Sequence, residues 1–542
     1  MFANYRHKKY SLLRACTLMT ALVLGALTGC KAKPDADNVL LITLDTQRAD
    51  FISAYFSENA RTPFIDSLAE EGTLFENCYA LIPITLPSHA SLFFSQPPHE
   101  LKNYNNGQII HPKRKRPPLT TFLKKRGYAT AAFISLGVMQ AKFGLNEAFD
   151  TYSDQFPLTR WYLTAEEVNE QVFPWLEENA KTPFFAWVHY SDPHDPYSPP
   201  TMPNDFSVYL NDDLIYETCL RKYEVHELNM RLKPGVNKLF FEVDNSFIPN
   251  PDHFRAKMDQ MEFSTPPGSG DLDIDLTRGW FVRRDNNVFF FKDQSFIDII
   301  NHQGPRDWTL TFRGSPVLNT EAVRSLYQAE VEYMDAQFGR LLAKLKDLGL
   351  TEKTKIILIG DHGEGLGDHT NINDEPHFGH IQFLNNIYLK VPFIIYDPDR
   401  PKSSRRTDYV TPLDVTPTIL AMLGIRGYPS FFGKNLLDRK PDMSRSVFQE
   451  TYKPEADYNK FAVLSPPWHL IFTPETRAYE LYNMETDPEE KNNLFDASSL
   501  PAGVAKLKKD LDSRARDIIQ SMQEIHVDEK TKEMLRSLGY IK

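Results

Sequence analysis

Two apolar runs in the sequence end in side chains that can bind a metal ion. The run from Asn38 to Leu44 is followed by Asp45, and the run "TKIILIG" is followed by Asp361 and His362. Each run has the length and the branched residues of a buried parallel strand, and open α/β sheets bind their ligands at the C-terminal ends of such strands. Two carboxylates and an imidazole suit a divalent cation, although "DHGE" alone is also compatible with a helix cap and a surface histidine.

The elements that must position these residues alternate between helix and strand in two blocks. The segment 38–203 repeats a helix, a turn and an apolar strand, as in "TPFIDSLAEEGTLFENCYA". The segment 204–314 instead alternates apolar and polar residues around the turn signals "NDD" and "KPGVN", which predicts a β-rich insertion. Helical spacing returns in 315–440, and 441–542 is predicted to form a small C-terminal subdomain. We therefore expect an α/β catalytic domain in two parts with an inserted β module.

The charge of the chain limits its partners. The formal net charge is −11, which argues against nucleic acid, because phosphate backbones are bound by clustered lysine and arginine. One basic stretch, "HPKRKRPP" at 111–118, runs against this trend. It is interpreted as a solvated loop, with contact to an anionic lipid or polymer as the alternative.

The N-terminal residues resemble a bacterial lipoprotein signal. A basic segment precedes the apolar run "ACTLMTALVLGALTG", which is too short to span a membrane, and small residues precede Cys30. The resemblance implies a signal peptide at 1–29, lipidation of Cys30 and a tether at 30–37, so we expect a lipid-anchored protein of the cell envelope. Lys31 follows the cysteine, which slightly favours the outer membrane. Of the remaining cysteines, Cys78 and Cys219 show neither metal spacing nor a disulfide framework.

The order of the candidate residues resembles the alkaline phosphatase superfamily, and most closely its sulfatase branch. The resemblance covers nearly the whole chain after the signal, with the β-rich insertion outside it. It implies a three-layer sandwich around a central, mostly parallel sheet. The motifs that carry it are "LLITLDTQRAD", "TPFIDSLAEEGTLFENCYA", "TLPSHASL", "VHYSDPHDPY", "AEVEYMDAQFGRLLAKLKDLGL", "DHGEGLGDH", "LKVPFIIYDP", "DVTPTILAMLGI", "ELYNMETDPEEKNNL" and "MLRSLGY".

The resemblance also implies roles for individual residues. The metal positions of the family fall on Asp45, Asp361 and His362, and Thr85 occupies the nucleophile position, where its hydroxyl would be a further ligand of the metal. The remaining matches are to catalytic or substrate-binding positions. His89 stands where sulfatases carry an arginine, His194 matches a leaving-group histidine, and His380 matches a residue that contacts the transferred group. Asn106 and Asp192 are matched more weakly to substrate binding.

The nucleophile position departs from a true sulfatase. Sulfatases oxidise a cysteine or serine, in a Cys/Ser-x-Pro-x-Arg run, to formylglycine, whereas this chain has Thr85, Pro87 and His89. No formylglycine is therefore expected, and Thr85 would attack as an ordinary hydroxyl next to a divalent cation. Threonine nucleophiles in this superfamily accompany phosphoryl chemistry. The main expectation is thus hydrolysis of phosphate or phosphodiester groups through a phosphothreonine.

The metal site also departs from that of sulfatases. Thr46 replaces a second aspartate, and His362 adds a softer imidazole ligand, so manganese or zinc is favoured while calcium stays open. A single ion is preferred. The alternative is a second ion bound by Asp192, His194 and His380.

Three other functions stay open from the sequence. The first is hydrolysis of sulfate esters without formylglycine, and the second is transfer of phosphoryl headgroups. The third is a non-catalytic lipoprotein that binds an envelope glycan through the insertion at 204–314. The chemical competence of the metal and nucleophile positions argues against the third.

Overall fold

A computed structural model describes residues 37–537 with gaps. The gaps are 111–115, 158–159, 196, 201–205, 219–224, 244–254, 265–272, 276–280, 285–286, 291–294, 303, 318–319, 371–374, 401–402, 427–430, 438–441, 454–455 and 523–527. The signal peptide, Cys30, nearly all of the tether, Cys219 and most of the basic stretch lie outside the described residues. What the sequence predicts for these segments therefore stays a prediction.

A nine-stranded sheet forms the centre of the protein, and most of its strand pairs are parallel. Its middle strand, Asn38–Leu44, pairs in parallel with Thr354–Gly360 on one side and with Phe184–Tyr190 on the other. All residues of these three strands are buried, as expected for strands covered on both faces. The other strands are Thr73–Tyr79, Ala129–Phe133, Thr151–Ser153, Lys390–Val391, Phe393–Tyr396 and Ser404–Val410.

Helices cover both faces of this sheet. In the middle strand, Val39 and Leu41 pack into the hydrophobic cluster on one face, whereas Leu40 and Ile42 pack into the cluster on the other. The helices of the first face include Thr85–Phe94, Leu119–Lys124 and Val415–Met422, whereas the Val504–Ser521 helix packs on the strands Lys460–Ser465 and Trp468–Thr473. Those of the second are Pro63–Glu71, Ala165–Asn179 and Thr320–Asp347. The predicted three-layer α/β sandwich is therefore confirmed.

The β-rich segment forms two five-stranded sheets that share one hydrophobic core. The Val225–Leu232 strand alternates strictly between exposed and buried residues, so one face of its sheet packs on the core. The remaining strands are Phe206–Leu210, Asp213–Thr218, Gly235–Val243, Arg255–Ser264, Asp273–Asp275, Phe281–Arg284, Asn287–Phe290, Ser295–Asn301 and Arg306–Val317. Within the described residues, the strands of this segment pair only with one another.

The C-terminal part is built on a four-stranded sheet. Its strands are Val447–Thr451, Lys460–Ser465, Trp468–Thr473 and Ala478–Asn483. Smaller elements of the chain are the helices Pro98–Leu101, Asn386–Leu389 and Glu529–Ser537 and the paired strands Gly365–Thr370 and Pro376–Gly379. Among the helices of the described chain, none is both long and apolar enough to cross a membrane. The exact domain boundaries at 203/204, 314/315 and 440/441 stay predictions.

Candidate active site

Two carboxylates meet at the C-terminal edge of the central sheet. Leu44 and Gly360 are in register on neighbouring parallel strands, so the residues that follow them, Asp45 and Asp361, are brought side by side. Asp45 Oδ2 accepts a hydrogen bond of 3.2 Å from His189 Nε2. Asp361 Oδ1 accepts the backbone N–H groups of Thr46 and His362, at 3.1 and 2.6 Å. One oxygen of each carboxylate thus accepts hydrogen bonds that fix the side chain, and the other oxygen is available to a metal ion.

The unprotonated ring nitrogen of His362 faces Asp45 and Asp361. Its Nδ1 lies 3.0 Å from the carbonyl oxygen of Gly363, and a carbonyl only accepts, so Nδ1 carries the proton. Nε2 is then the unprotonated nitrogen, 3.4 Å from Asp361 Oδ2 and 4.0 Å from Asp45 Oδ1. Burial and the neighbouring His380 lower the pKa of His362 to about 3, which keeps the ring neutral. A neutral imidazole fixed by its other nitrogen is the usual form of a metal-binding histidine.

These three residues fit a divalent cation. Their ligand atoms lie within 4.8 Å of one another, and all three side chains are buried. Asp45 Oδ1 and Asp361 Oδ2 are buried without a hydrogen-bond partner in the described part of the chain. Burial and the adjacent Asp45 raise the pKa of Asp361 well above its usual range, because two close carboxylates repel each other when both are ionised. A divalent cation would satisfy both oxygens and remove that repulsion.

Thr85 lies at the start of a completely buried helix that is aimed at this cluster. The Thr85–Phe94 helix tolerates Pro87 because the first turn of a helix has no intrahelical use for that N–H group. Thr85 Oγ1 lies 3.4 Å from His362 Nε2. Ser88 Oγ donates to the carbonyl oxygen of Asp361 at 2.8 Å, which links the helix directly to the strand end. The hydroxyl of Thr85 is therefore placed beside the cluster.

Asn106 reaches the same helix from the loop behind it. Its Oδ1 accepts the backbone N–H of Leu86 at 3.0 Å. This bond fixes which end of the amide faces the helix. Its substrate role stays a prediction.

His89 lies one helical turn after Thr85 and contacts its backbone. Its Nδ1 is 2.8 Å from the carbonyl oxygen of Thr85 and its Nε2 is 3.0 Å from Thr43 Oγ1. Burial and the nearby His189 lower the pKa of His89 to about 3. A neutral ring with both nitrogens engaged is suited to positioning Thr85, and the catalytic role of His89 stays a prediction.

A pair of histidines lies next to His362. The rings of His194 and His380 lie 5.2 Å apart, and the rings of His380 and His362 lie 4.5 Å apart. His194 donates from Nδ1 to the carbonyl oxygen of Asp195 at 2.6 Å. His380 Nδ1 lies 3.2 Å from Glu364 Oε2, and burial raises the pKa of Glu364 to about 8. Both predicted histidines are thus brought to the site.

Asp192 has a different position. Its Oδ1 accepts the backbone N–H of Ala165, at the start of the Ala165–Asn179 helix, with a distance of 3.0 Å. It lines a small cavity together with His194. The metal-ligand group found among the described residues does not include it. Asp192 is tied to a helix end, and the choice between one ion and two stays a prediction.

Several supporting residues were not identified as site residues from the sequence. His189 orients Asp45, Ser88 links the Thr85–Phe94 helix to Asp361, and Glu364 contacts His380. Glu364 follows the metal positions in "DHGE", which is the one sequence signal that points to it. The others become visible only through contacts between distant segments.

Arg48 and Tyr327 support the turn that follows Asp45. The buried guanidinium of Arg48 pairs with Asp50 and Asp368 at 2.7 Å each, and it donates to the carbonyl oxygen of Glu364 at 3.2 Å. The hydroxyl of Tyr327 donates to the carbonyl of Thr46 at 2.7 Å and accepts the Arg48 N–H at 2.9 Å. Thr46 has a φ of 53°, a left-handed conformation that needs such support.

Tyr327→Phe is expected to destabilise this turn. The change leaves a buried carbonyl and a buried N–H without their partner, which costs about 2 kcal/mol in the free energy of unfolding. Urea denaturation measures the loss. Tyr388→Phe is the matched control, because the buried Tyr388 hydroxyl has no hydrogen-bond partner among the described residues. Equal losses in the two variants would contradict the assignment.

Comparison with known proteins gives relatives that span nearly the whole chain. The N-acetylglucosamine-6-O-sulfatase of Bacteroides thetaiotaomicron is 22% identical over 95% of this chain and 92% of its own length. The arylsulfatase of Clostridium perfringens is 23% identical over 87% of this chain and 93% of its own length.

Solved structures share the fold. One is a protein in complex with its substrate D-glucosamine-2-N,6-O-disulfate, with a TM-score of 0.59 at 17% identity over 90% of this chain and 99% of that one. Another is the phosphonate monoester hydrolase of Agrobacterium radiobacter, with a TM-score of 0.55 at 17% identity over 90% of this chain and 96% of that one.

The family match covers both parts of the catalytic domain. Residues 37–425 match the sulfatase family, and residues 377–517 match the C-terminal region of N-sulphoglucosamine sulphohydrolase. The first range contains Asp45, Thr85, Asp361 and His362. The resemblance to the sulfatase branch is thereby confirmed, and the chain belongs to the sulfatase family of metal-dependent ester hydrolases.

Proposed function

We propose that the protein hydrolyses sulfate esters, with carbohydrate sulfates as the favoured substrate class. The observation that carries the proposal is the position of Thr85 Oγ1, 3.4 Å from the lone-pair nitrogen of His362 and beside two converging carboxylates. The family match supports sulfate as the transferred group. Relatives and similar structures whose names refer to N-acetylglucosamine 6-O-sulfate and glucosamine disulfate support a sugar as its carrier. This differs from the main expectation from the sequence, which was a phosphate ester.

Asp45, Asp361 and His362 would hold the metal ion. A bound divalent cation lowers the pKa of a hydroxyl beside it and offsets negative charge on the ester oxygens. The imidazole ligand favours manganese or zinc, and calcium remains compatible with the two carboxylates.

Thr85 would attack the sulfur directly. The Thr85 hydroxyl would give its proton to solvent, and a new bond would form from Oγ1 to sulfur as the bond from sulfur to the leaving alcohol breaks. Water would then cleave the threonine sulfate, which releases inorganic sulfate and restores the hydroxyl. His194 is placed to protonate the leaving oxygen, and His380 to contact the remaining ester oxygens. Oxidation of a threonine at Cβ gives a ketone rather than an aldehyde, so we infer that the site works without formylglycine.

A phosphate, phosphodiester or phosphonate ester is the second candidate substrate. The unmodified hydroxyl of Thr85 favours it, because a phosphothreonine is released by water without any aldehyde chemistry. The structural similarity to a phosphonate monoester hydrolase is compatible with it. The same residues would serve, with phosphorus in place of sulfur.

The site of action is proposed from the N-terminal sequence. The lipoprotein-like signal supports a lipid-anchored protein of the cell envelope, with Cys30 as the lipidated residue and the outer membrane slightly favoured. Labelling of cells with a radioactive fatty acid tests it. A Cys30→Ala variant that still carries the label would contradict the assignment.

Turnover of matched esters tests the proposed reaction. The protein without its signal peptide is assayed with an aryl sulfate, a phosphate monoester, a phosphodiester and a phosphonate, each with manganese, zinc or calcium. The same series is repeated with glucosamine 6-O-sulfate. We expect the highest kcat/KM on a sulfate ester. A higher kcat/KM on any phosphoryl ester would favour the second candidate, and no turnover with any metal would reject both.

A further inference from the structure

A chain of hydrogen bonds made by side chains runs from the middle of the central sheet to the first turn of the Thr85–Phe94 helix. The indole Nε1 of Trp187 lies 2.8 Å from Thr43 Oγ1, on the neighbouring strand. Thr43 Oγ1 lies 3.0 Å from His89 Nε2, and His89 Nδ1 lies 2.8 Å from the carbonyl oxygen of Thr85. Trp187, Thr43, His89 and Thr85 all have 0% exposure, so water cannot replace any of these bonds.

The chemistry of the groups fixes the direction of every bond. An indole N–H only donates and a backbone carbonyl only accepts, so Thr43 Oγ1 accepts from Trp187 and His89 Nδ1 carries the proton given to Thr85. Neutral His89 then accepts at Nε2, which is where the hydroxyl hydrogen of Thr43 is directed. A doubly protonated His89 would carry a proton at Nε2 and could not accept the Thr43 hydroxyl hydrogen. It would also bury a charge, with Asp361 Oδ2 3.7 Å from its Nδ1.

We propose that Thr43 and Trp187 are positioning residues that hold His89 in its Nδ1–H tautomer, and that His89 in turn fixes the Thr85 carbonyl and hence its hydroxyl. The link from carbonyl to hydroxyl is short, because a β-branched side chain in a helix has few rotamers once its backbone is fixed. The proposal rests on the proposed function in one respect, which is that Thr85 is the nucleophile.

Position in the sheet explains why Thr43 can do this. Thr43 is in register with His189, the residue that orients Asp45. The rings of His89 and His189 lie 5.0 Å apart. The hydrogen bond from Thr43 to His89 and the hydrogen bond from His189 to Asp45 therefore start from paired positions on neighbouring strands. A change at Thr43 that alters only its hydroxyl tests the first set without removing the second.

The kinetic test compares Thr43→Val with Thr43→Ser. Valine keeps the shape of the side chain and removes the hydroxyl, whereas serine keeps the hydroxyl. We expect Thr43→Val to lower kcat about tenfold to a hundredfold with KM changed less than about threefold, the range seen when groups behind active-site residues are removed. Thr43→Ser should recover kcat to within about threefold of the wild type.

A matched variant separates positioning from general packing. Thr130 lies on the Ala129–Phe133 strand of the same sheet and donates to the carbonyl of Ala148 at 3.0 Å. Thr130→Val should lower the midpoint of thermal unfolding without lowering kcat. If Thr43→Val and Thr43→Ser have equal kcat, or if only KM changes, the positioning role is wrong.

The tautomer of His89 is measured independently of turnover. In the ¹⁵N-labelled full chain without its signal peptide, long-range proton–nitrogen spectra distinguish the two neutral tautomers from the imidazolium, and the signals lost in His89→Gln identify His89. We expect the Nδ1–H tautomer between pH 6 and pH 8, and a mixture in Thr43→Val. An Nε2–H tautomer or an imidazolium in the wild type would overturn the proposal, even if the enzyme is active. If the wild type fails to turn over any ester, the proposed function fails while the spectra still decide the tautomer.

Discussion

Thr85→Ala is expected to lower kcat by about a thousandfold or more on whichever ester the enzyme prefers, because loss of a covalent nucleophile removes the main reaction path. The helix that carries Thr85 keeps its other anchors, since Ser88 still donates to the Asp361 carbonyl and Asn106 still accepts the Leu86 N–H. The midpoint of thermal unfolding should therefore change little. Steady-state kinetics and a thermal melt on the same preparation measure both quantities.

Two variants at the same position sharpen this test. Thr85→Ser keeps the hydroxyl and should retain kcat within about tenfold of the wild type. Thr85→Val keeps the shape without the hydroxyl and should be as inactive as alanine. In the wild type, a rapid acid quench during turnover should trap a sulfated or phosphorylated peptide that contains Thr85. Full activity of Thr85→Val would exclude Thr85 as the nucleophile.

Asp361→Asn is expected to abolish both tight metal binding and turnover. The amide oxygen can still accept the Thr46 and His362 N–H groups, whereas an NH₂ group replaces Oδ2, the atom that faces Asp45 and His362. An amide nitrogen does not bind a divalent cation, so the affinity for manganese or zinc should fall at least about a hundredfold. Calorimetric titration with each metal alone measures that affinity.

Asp335→Asn provides the matched control. Asp335 is also buried and also accepts two backbone N–H groups, those of Phe64 and Ile65, but at a helix start away from the cluster. This variant should bind metal and turn over substrate like the wild type while losing some stability. If Asp361→Asn binds metal as tightly as Asp335→Asn, the assignment of the metal site is wrong.

Site residues directly after an apolar strand were easier to predict from the sequence than site residues on the helices and loops that connect the strands. Asp45, Asp361 and His362 each end a run whose type and length are visible in one dimension, and parallel pairing brings such ends together. The nucleophile position was identified only by resemblance, because nothing in "TLPSHASL" by itself shows which strand end that helix faces. The contact of Thr85 with His362 joins residues that are 277 positions apart.

The roles of the histidines show where sequence reasoning reaches its limit. The sequence does not show which ring nitrogen of a histidine carries the proton. The tautomer depends on hydrogen-bond partners such as Gly363, Thr43 and Glu364. His89 was predicted to be catalytic from its place in the motif, yet its partners are a strand hydroxyl and its own helix. Asp192 was matched to the substrate. Its Oδ1 accepts the N–H at a helix start, a contact that the sequence did not show, and its substrate role stays a prediction.

The pairing of the middle strand bears on the order in which the protein folds during synthesis. Asn38 and Thr354 are paired although 316 positions separate them, so one edge of the Asn38–Leu44 strand has no partner until most of the chain has been made. The strands of the β-rich segment pair among themselves and can close as soon as Val317 has left the ribosome. A folded module therefore forms while the first half of the active site still presents an open strand edge, and it is in this interval that the chain is most exposed to aggregation.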